Sequence, residues 1–506
     1  MRSTTTTTAA AAARLATLAS GVVVPVADWV VAENDRPGTL DWIPAGRPAP
    51  HDMEGFASTV SAVAGEEVTL YVNTTARTFH VEAYRMGYYQ GLGGRLVWRS
   101  PDAPGTVQPP PVLLAPTNTV ECHWSPSIRF GIDGDWPPGA YVLKLVGDGG
   151  QEELVPLCVR DDASAAAFVI QHAVTDWQAY NRWGGYSLYD GLVTGGFRYS
   201  QTPRDADFAH RARIVSFDRP YPTDWMRGTA DFFGNEFPVV FHMERLGLDL
   251  TYWTDVDLHL HPERLLQHRC LLSLGHDEYW SLEMRDGALQ ARSAGVNLAF
   301  LGANACYRQI RLEPSPVGPA RHEVCYKSAA EDPETAIDPV RSTAVAWVDG
   351  PVPWAEQLMI GAQYQAIGAD ADLVVTDPSS WVWAGTGVTA GQHLPHVVQG
   401  EYDRYDPAYP GPPDVEIVAH SPVTNNGMHN ASDITWYTVP GGGGVFAVGM
   451  ASWVNKLSDS TRIPTNWVAA PIPGVTEILL RVMENVYSTL GTGPASLTHP
   501  SRPSGS

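Results

Sequence analysis

The chain has 506 residues, of which 44% are hydrophobic and 17% charged. This composition excludes an intrinsically disordered chain, and the length indicates two or three domains. Acidic residues outnumber basic ones by 55 to 33, for a formal charge of −22, which argues against a nucleic-acid partner because phosphate binding depends on Lys and Arg. The charge suits a small neutral or cationic substrate.

The cysteines and the hydropathy pattern indicate a cytoplasmic protein without a membrane anchor. Five cysteines cannot all pair with one another, and no CxxC motif occurs, so neither a disulfide scaffold nor a zinc–cysteine site is predicted. No apolar run is long enough to span a bilayer. Residues 1–35 are predicted to form a disordered leader, with a secretion signal as the alternative because residues 9–24 are weakly apolar.

Residues 36–162 carry the pattern of an immunoglobulin-like β-sandwich. Short segments rich in β-branched and aromatic residues alternate with Gly- and Pro-containing turns, and no helical pattern lies between them. The predicted strands are residues 67–73, 78–85, 127–132, 140–146 and 153–159.

From residue 163 to residue 490 the pattern predicts an α/β domain with a largely parallel sheet. Near-continuous apolar runs, typical of strands buried on both faces, alternate with helical patterns. Ser281 is a candidate N-cap and Gly295 a candidate C′ residue of one helix. The predicted strands are residues 166–170, 212–217, 248–253, 270–274, 296–301 and 445–450, and the predicted helices are residues 236–246, 262–268, 281–294 and 475–490.

The signal is weaker in residues 310–440. Pro and Gly are frequent there, and the predicted strands at 371–375 and 415–419 are isolated. We expect loops and irregular sheet that cover the α/β core. Residues 491–506 are rich in Pro, Ser and Gly and are predicted to form a disordered tail.

Polar side chains follow several of the predicted strands. Residues 276–278 are His, Asp and Glu and come directly after the strand at 270–274, and Asn304 follows the next predicted strand. Open parallel sheets bind ligands beyond the carboxyl ends of their strands. Tyr180 and Tyr221 follow two further predicted strands, so we expect all these residues to reach one crevice.

Each of these candidates also has a structural interpretation. The cluster at 276–278 is equally typical of a helix N-terminus with favourable carboxylates, and Asn304 of an ordinary turn. Tyr180 and Tyr221 suit core packing. Cys306 is either a nucleophile on a strand-to-helix turn or a small buried thiol. The residues taken singly leave these alternatives open.

Four motifs, taken in order, resemble the large (beta) subunit of bacterial N,N-dimethylformamidase and its relatives, and the resemblance runs from about residue 33 to residue 490. It implies a β-sandwich-like part followed by an α/β domain similar to class I glutamine amidotransferases. It also implies a homo-oligomer and a possible separate small subunit. The motifs are WQAYNRWGGYSLY at 177–189, FDRPY at 217–221, GHDEYWS at 275–281 and FLGANACY at 300–307.

The same resemblance implies a mononuclear iron, as Fe(III), held by Tyr180, Tyr221 and Glu278. Phenolate and carboxylate are hard anionic donors that favour a highly charged ion. His276 and Asn304 match polar residues that line the family's site. A further acidic residue belongs to that site, and its candidate here lies in the motif GEYDR as Glu401.

The predicted function is therefore an iron-dependent hydrolase that cleaves the C–N bond of a small amide or formamide. His276 or a nearby carboxylate would move the proton to the leaving amine, and Asn304 would orient the substrate or stabilise an oxyanion. One alternative is a metal-independent amidase with Cys306 as nucleophile and His276 as base. The others are a different reaction of the same metal site in a biosynthetic pathway, and a non-enzymatic binding protein.

Overall fold

The computed structural model describes residues 14–46, 48–198, 205–222, 228–344, 346–425 and 427–502. Strands predominate in this mixed α/β fold and form several sheets, the largest of which has seven strands.

The segment from residue 14 to residue 35 is ordered, so the prediction of a disordered leader is wrong for these residues. Two short strands form an antiparallel hairpin, and Val24 and Val30 are fully buried in the main core. Their burial explains the order, because apolar side chains that cover a core leave water. Residues 1–13 lie outside the described residues. The elements are β1 (Arg14–Thr17), β2 (Val23–Val26) and α1 (Asp28–Asn34).

Two sheets, together called the sandwich, follow and enclose their own apolar core. The strands of this part are β3 (Met53–Ala57), β4 (Ser61–Val63), β5 (Glu67–Thr74), β6 (Thr78–Met86), β7 (Gly94–Arg99), β8 (Ala103–Pro104), β9 (Val112–Leu114), β10 (Thr119–Glu121), β11 (Ile128–Gly131), β12 (Gly139–Gly147) and β13 (Glu152–Arg160). One sheet has the order β11-β5-β3 and the other β4-β13-β12-β6-β7, with β8 paired to β6. β9 and β10 pair with each other in a separate two-stranded sheet.

The larger of these two sheets is buried on both faces along β12. In β12, Leu143 and Leu145 face the sandwich core, whereas Ala140 and Val142 belong to the core of the α/β part. Successive strand residues point to opposite faces, so a strand between two cores carries apolar residues on both of its faces. This explains why β12 is almost entirely apolar; its one charged residue, Lys144, is paired with Glu152 at 2.9 Å.

The α/β part begins at residue 168. Its first elements are β14 (Phe168–His172), α2 (Val174–Ala179), β15 (Gly191–Leu192), β16 (Ala206–Asp207), β17 (Ile214–Ser216), α3 (Phe232–Asn235), α4 (Phe237–Arg245), β18 (Leu250–Thr254), α5 (Asp255–Leu260), β19 (Cys270–Gly275), β20 (Tyr279–Ser281), α6 (Leu282–Ser293) and β21 (Asn297–Gly302). Residues 262–268, predicted as a helix, form the 3₁₀ turn Pro262–Gln267.

The remaining elements complete the chain. They are β22 (Arg308–Glu313), β23 (His322–Val324), α7 (Gln357–Ile360), β24 (Gln363–Val374), β25 (His393–Arg404), β26 (Glu416–Asn425), β27 (Met428–Thr438), β28 (Gly444–Ala447), α8 (Trp453–Lys456) and α9 (Val475–Gly491).

The seven-stranded sheet has the order β18-β14-β19-β21-β28-β27-β26, and its first five strands are parallel. Neighbouring residues of β19 and β21 point alternately into two separate apolar clusters, one of which contains α4 and α9 and the other α6. The prediction of a largely parallel sheet with apolar layers on both faces is therefore confirmed. Ser281 accepts a hydrogen bond from Met284 N at 3.2 Å and caps α6, and Gly295 follows the helix with φ +106°.

Two predictions about the α/β part need correction. The segment at 212–217 does not join the parallel sheet, because β17 pairs with β23 in a four-stranded sheet of order β17-β23-β22-β20. The region 310–440 contains irregular sheet, as predicted, since the ribbon of β24 and β25 has three register shifts. Its strands are longer than predicted and not isolated, because β24 and β25 have twelve residues each and β26 and β27 extend the main sheet. One face of the ribbon is partly exposed. Polar residues on that face interrupt the apolar runs by which buried strands are predicted.

The predicted C-terminal tail is also ordered up to residue 502. Arg502 forms ion pairs with Asp377 and Glu416, and Ala495 is fully buried. Residues 503–506 lie outside the described residues.

A buried ion pair joins the sandwich to the α/β part. Arg85 of β6 and Glu244 of α4 are both fully buried, with 2.6 Å between Arg85 Nη2 and Glu244 Oε1. Tyr252 of β18 donates to the same carboxylate at 2.6 Å, and Asn34 of α1 donates to its other oxygen. Four elements therefore meet at one carboxylate.

Removing one partner of this pair leaves the other charge buried without compensation. We expect Glu244→Ala to lower the free energy of unfolding by about 3–5 kcal/mol, measured by urea denaturation. Asp148→Ala is the control, because it removes the partner of Arg77, whose side chain is 91% exposed. This substitution should change the free energy of unfolding by less than about 1 kcal/mol. Equal effects of the two substitutions would contradict this account of how the two parts are held together.

Candidate functional site

The candidate site lies at the carboxyl ends of three neighbouring parallel strands. β14 leads into α2, which is followed by Tyr180; β19 leads into residues 276–278; and β21 leads to Asn304. The ends of β19 and β21 approach very closely, since a Cβ on Gly302 would lie 1.6 Å from the Gly275 carbonyl oxygen. Only glycine fits there, and this approach brings residues 276–278 beside Asn304.

Glu278 is the centre of the site. Its side chain is 1% exposed, and its carboxylate accepts hydrogen bonds from the hydroxyls of Tyr180 at 2.8 Å and Tyr189 at 2.9 Å. Arg308 Nε donates to Oε1 at 2.9 Å. A buried carboxylate needs such partners, because an unpaired buried charge is very costly.

A chain of hydroxyl groups leads away from Glu278 towards a buried lysine. Tyr279 donates to the Tyr189 hydroxyl at 2.7 Å, and Lys327 Nζ donates to the Tyr279 hydroxyl at 2.7 Å. Lys327 Nζ also lies 3.3 Å from the centre of the Tyr189 ring. Burial, followed by the nearby charge of Arg308, lowers the pKa of Lys327 to about 7.

His276 contacts a carboxylate through each ring nitrogen. Nδ1 lies 2.9 Å from Asp176 Oδ2, and Nε2 lies 2.5 Å from Glu401 Oε2. Nε2 is also 3.8 Å from Glu278 Oε2. The ring is thus held between two carboxylates and directed at a third. β25 carries Glu401, so the long ribbon supplies one wall of the site.

Asn304 has a left-handed backbone, with φ +59°. Its backbone N–H donates to both carboxylate oxygens of Asp403 at 2.9 and 3.1 Å, which secures a conformation that L-residues rarely adopt. Its side-chain Nδ2 lies 3.4 Å from His276 Nε2. The buried Oδ1 has no hydrogen-bond partner among the described residues, so this amide oxygen is available to a ligand.

The charged groups of the site shift one another's pKa values. Burial alone would raise the pKa of Glu278, but Arg308, Lys327 and His276 hold it below its usual value. Burial opposes protonation of His276, but Asp176 and Glu401 outweigh it and raise the pKa. Burial raises the pKa of Asp176 to about 8. Burial and the Glu278 charge also raise the pKa of Tyr180.

Three of these side chains form a group that can hold a metal ion. In the described part of the chain, the candidate ligand atoms of Asp176, His276 and Glu278 all lie within 4.8 Å of one another. The Tyr180 and Tyr189 hydroxyls are hydrogen-bonded to the same Glu278 carboxylate. Carboxylate, phenol and imidazole donors around one buried point suit a hard transition-metal ion.

Tyr221 occupies a different position from the other predicted residues. No hydrogen bond joins its hydroxyl to Glu278 within the described residues. It lines a small cavity with Trp177 and Gln178 on the side facing β3 of the sandwich. This placement follows from β17, which precedes Tyr221 and lies outside the parallel sheet. The assignment of Tyr221 as a metal ligand stays a prediction.

The structure thus brings five of the six predicted site residues together: Tyr180, His276, Glu278, Asn304 and Glu401. Sequence reasoning missed further residues. Tyr189 and Tyr279 lie within the motifs already identified and Asp176 directly precedes the first of them, so their position was the available signal. Arg308 directly follows the last motif, whereas nothing in the sequence distinguished Lys327.

One known family matches most of the chain. A family model described as N,N-dimethylformamidase beta subunit-like, C-terminal, matches residues 80–466. The chain belongs to this family. The match covers more than half of the chain and includes all six predicted site residues. No curated protein matches the chain, and no helix in its described part is long and apolar enough to cross a membrane.

Cys306, the alternative nucleophile, is fully buried. It belongs to an apolar cluster with Trp280, Phe300 and Trp347, and burial raises the pKa of its thiol to about 12. A thiol of this kind is almost entirely protonated at neutral pH and unreactive. These properties argue against the metal-independent amidase.

We expect native Cys306 to resist iodoacetamide at pH 8 and to react fully in urea, as measured by mass spectrometry of its peptide. An Ala390→Cys variant places a thiol at an exposed position and serves as the control, which should react in the native protein. Alkylation of Cys306 as fast as that of the control would contradict its assignment as an inert thiol.

Proposed function

We propose that the chain is a metal-dependent hydrolase that cleaves the C–N bond of a small amide or formamide and uses a mononuclear iron, as Fe(III). The observation that carries this proposal is the buried Glu278 carboxylate, on which the Tyr180 and Tyr189 hydroxyls converge beside His276 and Asp176. Membership in the N,N-dimethylformamidase beta subunit-like family supports the substrate class.

The residues of the site fit such an ion. Two phenol protons lie between oxygen atoms that would otherwise repel one another, and a cation can take their place. Glu278 and Tyr180 would hold the metal, together with a second phenol. The resemblance in the motif FDRPY implies Tyr221 as this second phenol, whereas Tyr189 is the phenol that is hydrogen-bonded to Glu278. When bound, such an ion polarises a carbonyl oxygen and lowers the pKa of a water molecule.

His276 is the group best placed to move a proton. Asp176 fixes its Nδ1, so Nε2 is the atom directed at the site, where Glu401 contacts it at 2.5 Å. We infer that Nε2 delivers a proton to the departing amine nitrogen, and that Glu401 takes a proton from the water that adds to the carbonyl carbon and returns it to Nε2, in the manner of general acid–base catalysis.

Asn304 would bind the substrate. Its buried Oδ1 is without a hydrogen-bond partner among the described residues and can accept from the N–H of the departing amine, or of a substrate that carries one. Its Nδ2, close to His276 Nε2, can donate to an oxygen on which negative charge develops. The contact with Asp403 holds the backbone that positions both atoms.

We propose an immunoglobulin-like sandwich and an α/β domain similar to class I glutamine amidotransferases, with domain limits near residues 36–162 and 163–490. We also propose a homo-oligomer, a possible separate small subunit and a cytoplasmic location. The net charge of −22 suits a neutral substrate better than an anionic one.

Metal analysis combined with absorption spectroscopy tests this function. We expect about one iron per chain and a visible tyrosinate-to-iron band, and we expect Glu278→Ala to lose both. Tyr180→Phe should shift the band, and comparison of Tyr189→Phe with Tyr221→Phe identifies the second phenol. Tyr71→Phe, in the sandwich, should leave the band unchanged.

A protein that binds no iron after reconstitution, or a Glu278→Ala variant that keeps its metal and its amide hydrolysis, would exclude this site as the catalytic centre.

A further inference from the structure

Two tyrosines outside the predicted set form a second aromatic pair at the edge of the site. Tyr307 and Tyr364 are both half-buried, their ring centres are 4.8 Å apart and their planes are inclined by 47°. Tyr307 lies just after β21 and Tyr364 at the start of β24, so the pair joins the sheet end to the ribbon.

Both rings are connected to the central residues. Arg308, which follows Tyr307 in the chain, donates to Glu278 at 2.9 Å, and its guanidinium carbon lies 4.8 Å from the Tyr307 ring centre. The Tyr364 hydroxyl lies 3.5 Å from Glu401 Oε1, and Glu401 in turn contacts His276. A group resting on this pair is therefore adjacent to the proposed reacting centre.

The pair is also held in place before any ligand binds. The Tyr307 carbonyl accepts a hydrogen bond from Trp347 N at 3.1 Å, and Tyr364 N donates to Glu356 Oε1 at 3.4 Å. These bonds hold the backbone at both tyrosines, and the contact between the two rings limits the conformational freedom that the side chains can lose on binding.

We propose that Tyr307 and Tyr364 bind a neutral aromatic group of the substrate, so that the substrate class is amides bearing an aryl substituent. This inference rests on the proposed amide hydrolase function. A formamide-sized substrate would fill only the part of the site next to Glu278 and would leave both rings in contact with water. An aryl group would cover them.

The charges around the pair favour a neutral group over a charged one. Arg308 already lies against Tyr307 and repels a second cation. Glu401 and Glu278 repel an anion, and Glu401 is already paired with His276. An uncharged ring gains the offset or edge-to-face contacts that aromatic pairs prefer, without opposing either charge.

The test compares N-methylformanilide with N,N-dimethylformamide, two neutral formamides that differ in one aryl group. Binding is measured by saturation-transfer NMR, and hydrolysis is measured separately on the iron-loaded protein. We expect Tyr364→Leu and Tyr307→Leu to weaken binding of N-methylformanilide about 3- to 10-fold and to leave binding of N,N-dimethylformamide unchanged. Tyr364→Phe should retain aryl binding, and Tyr409→Leu at an exposed position is the control.

The two readouts separate failure of this inference from failure of the proposed function. Hydrolysis of both amides without any selective loss in the Leu variants overturns the aryl inference alone. Selective loss of aryl binding without hydrolysis of either amide supports the aryl site and counts against the hydrolase. Tighter binding of an amide with a trimethylammonium group than of N-methylformanilide also overturns the inference.

Discussion

A single buried carboxylate, that of Glu278, determines how the rest of the site is arranged. A charge removed from water must be compensated by partners close to it, and here the compensation comes from Arg308 and two phenols. The two phenols, Tyr180 and Tyr189, come from residues 177–189, and Arg308 comes from the segment after β21. The arrangement of these segments is therefore tied to the need to satisfy one negative charge, and the same concentration of oxygen atoms suits a cation.

The architecture around Glu278 brings distant segments to it. Parallel strands place their carboxyl ends at one edge of the sheet, and the close approach of Gly275 and Gly302 draws two of these ends together. The ribbon of β24 and β25 then adds Glu401 and Tyr364 from the opposite side. The buried pair of Arg85 and Glu244 holds the sandwich against this frame, so the site is built on rigid elements.

The sequence predicted those parts of the site that depend on the parallel sheet. Continuous apolar runs identify strands buried on both faces, and the polar residues directly after them, His276, Glu278 and Asn304, do lie together. The same reasoning was wrong for the strand before Tyr221, because an apolar run does not reveal which sheet a strand joins. Lys327 was missed because its proximity to Tyr279 depends entirely on tertiary structure.

Locating the bound metal tests the central claim most directly. A crystal structure of the iron-loaded protein, with anomalous diffraction measured on both sides of the iron absorption edge, reveals where the ion lies. The account predicts one strong anomalous peak at bonding distance from the Glu278 carboxylate and the Tyr180 oxygen. A protein with no such peak, or with its only peak remote from Glu278, would contradict it.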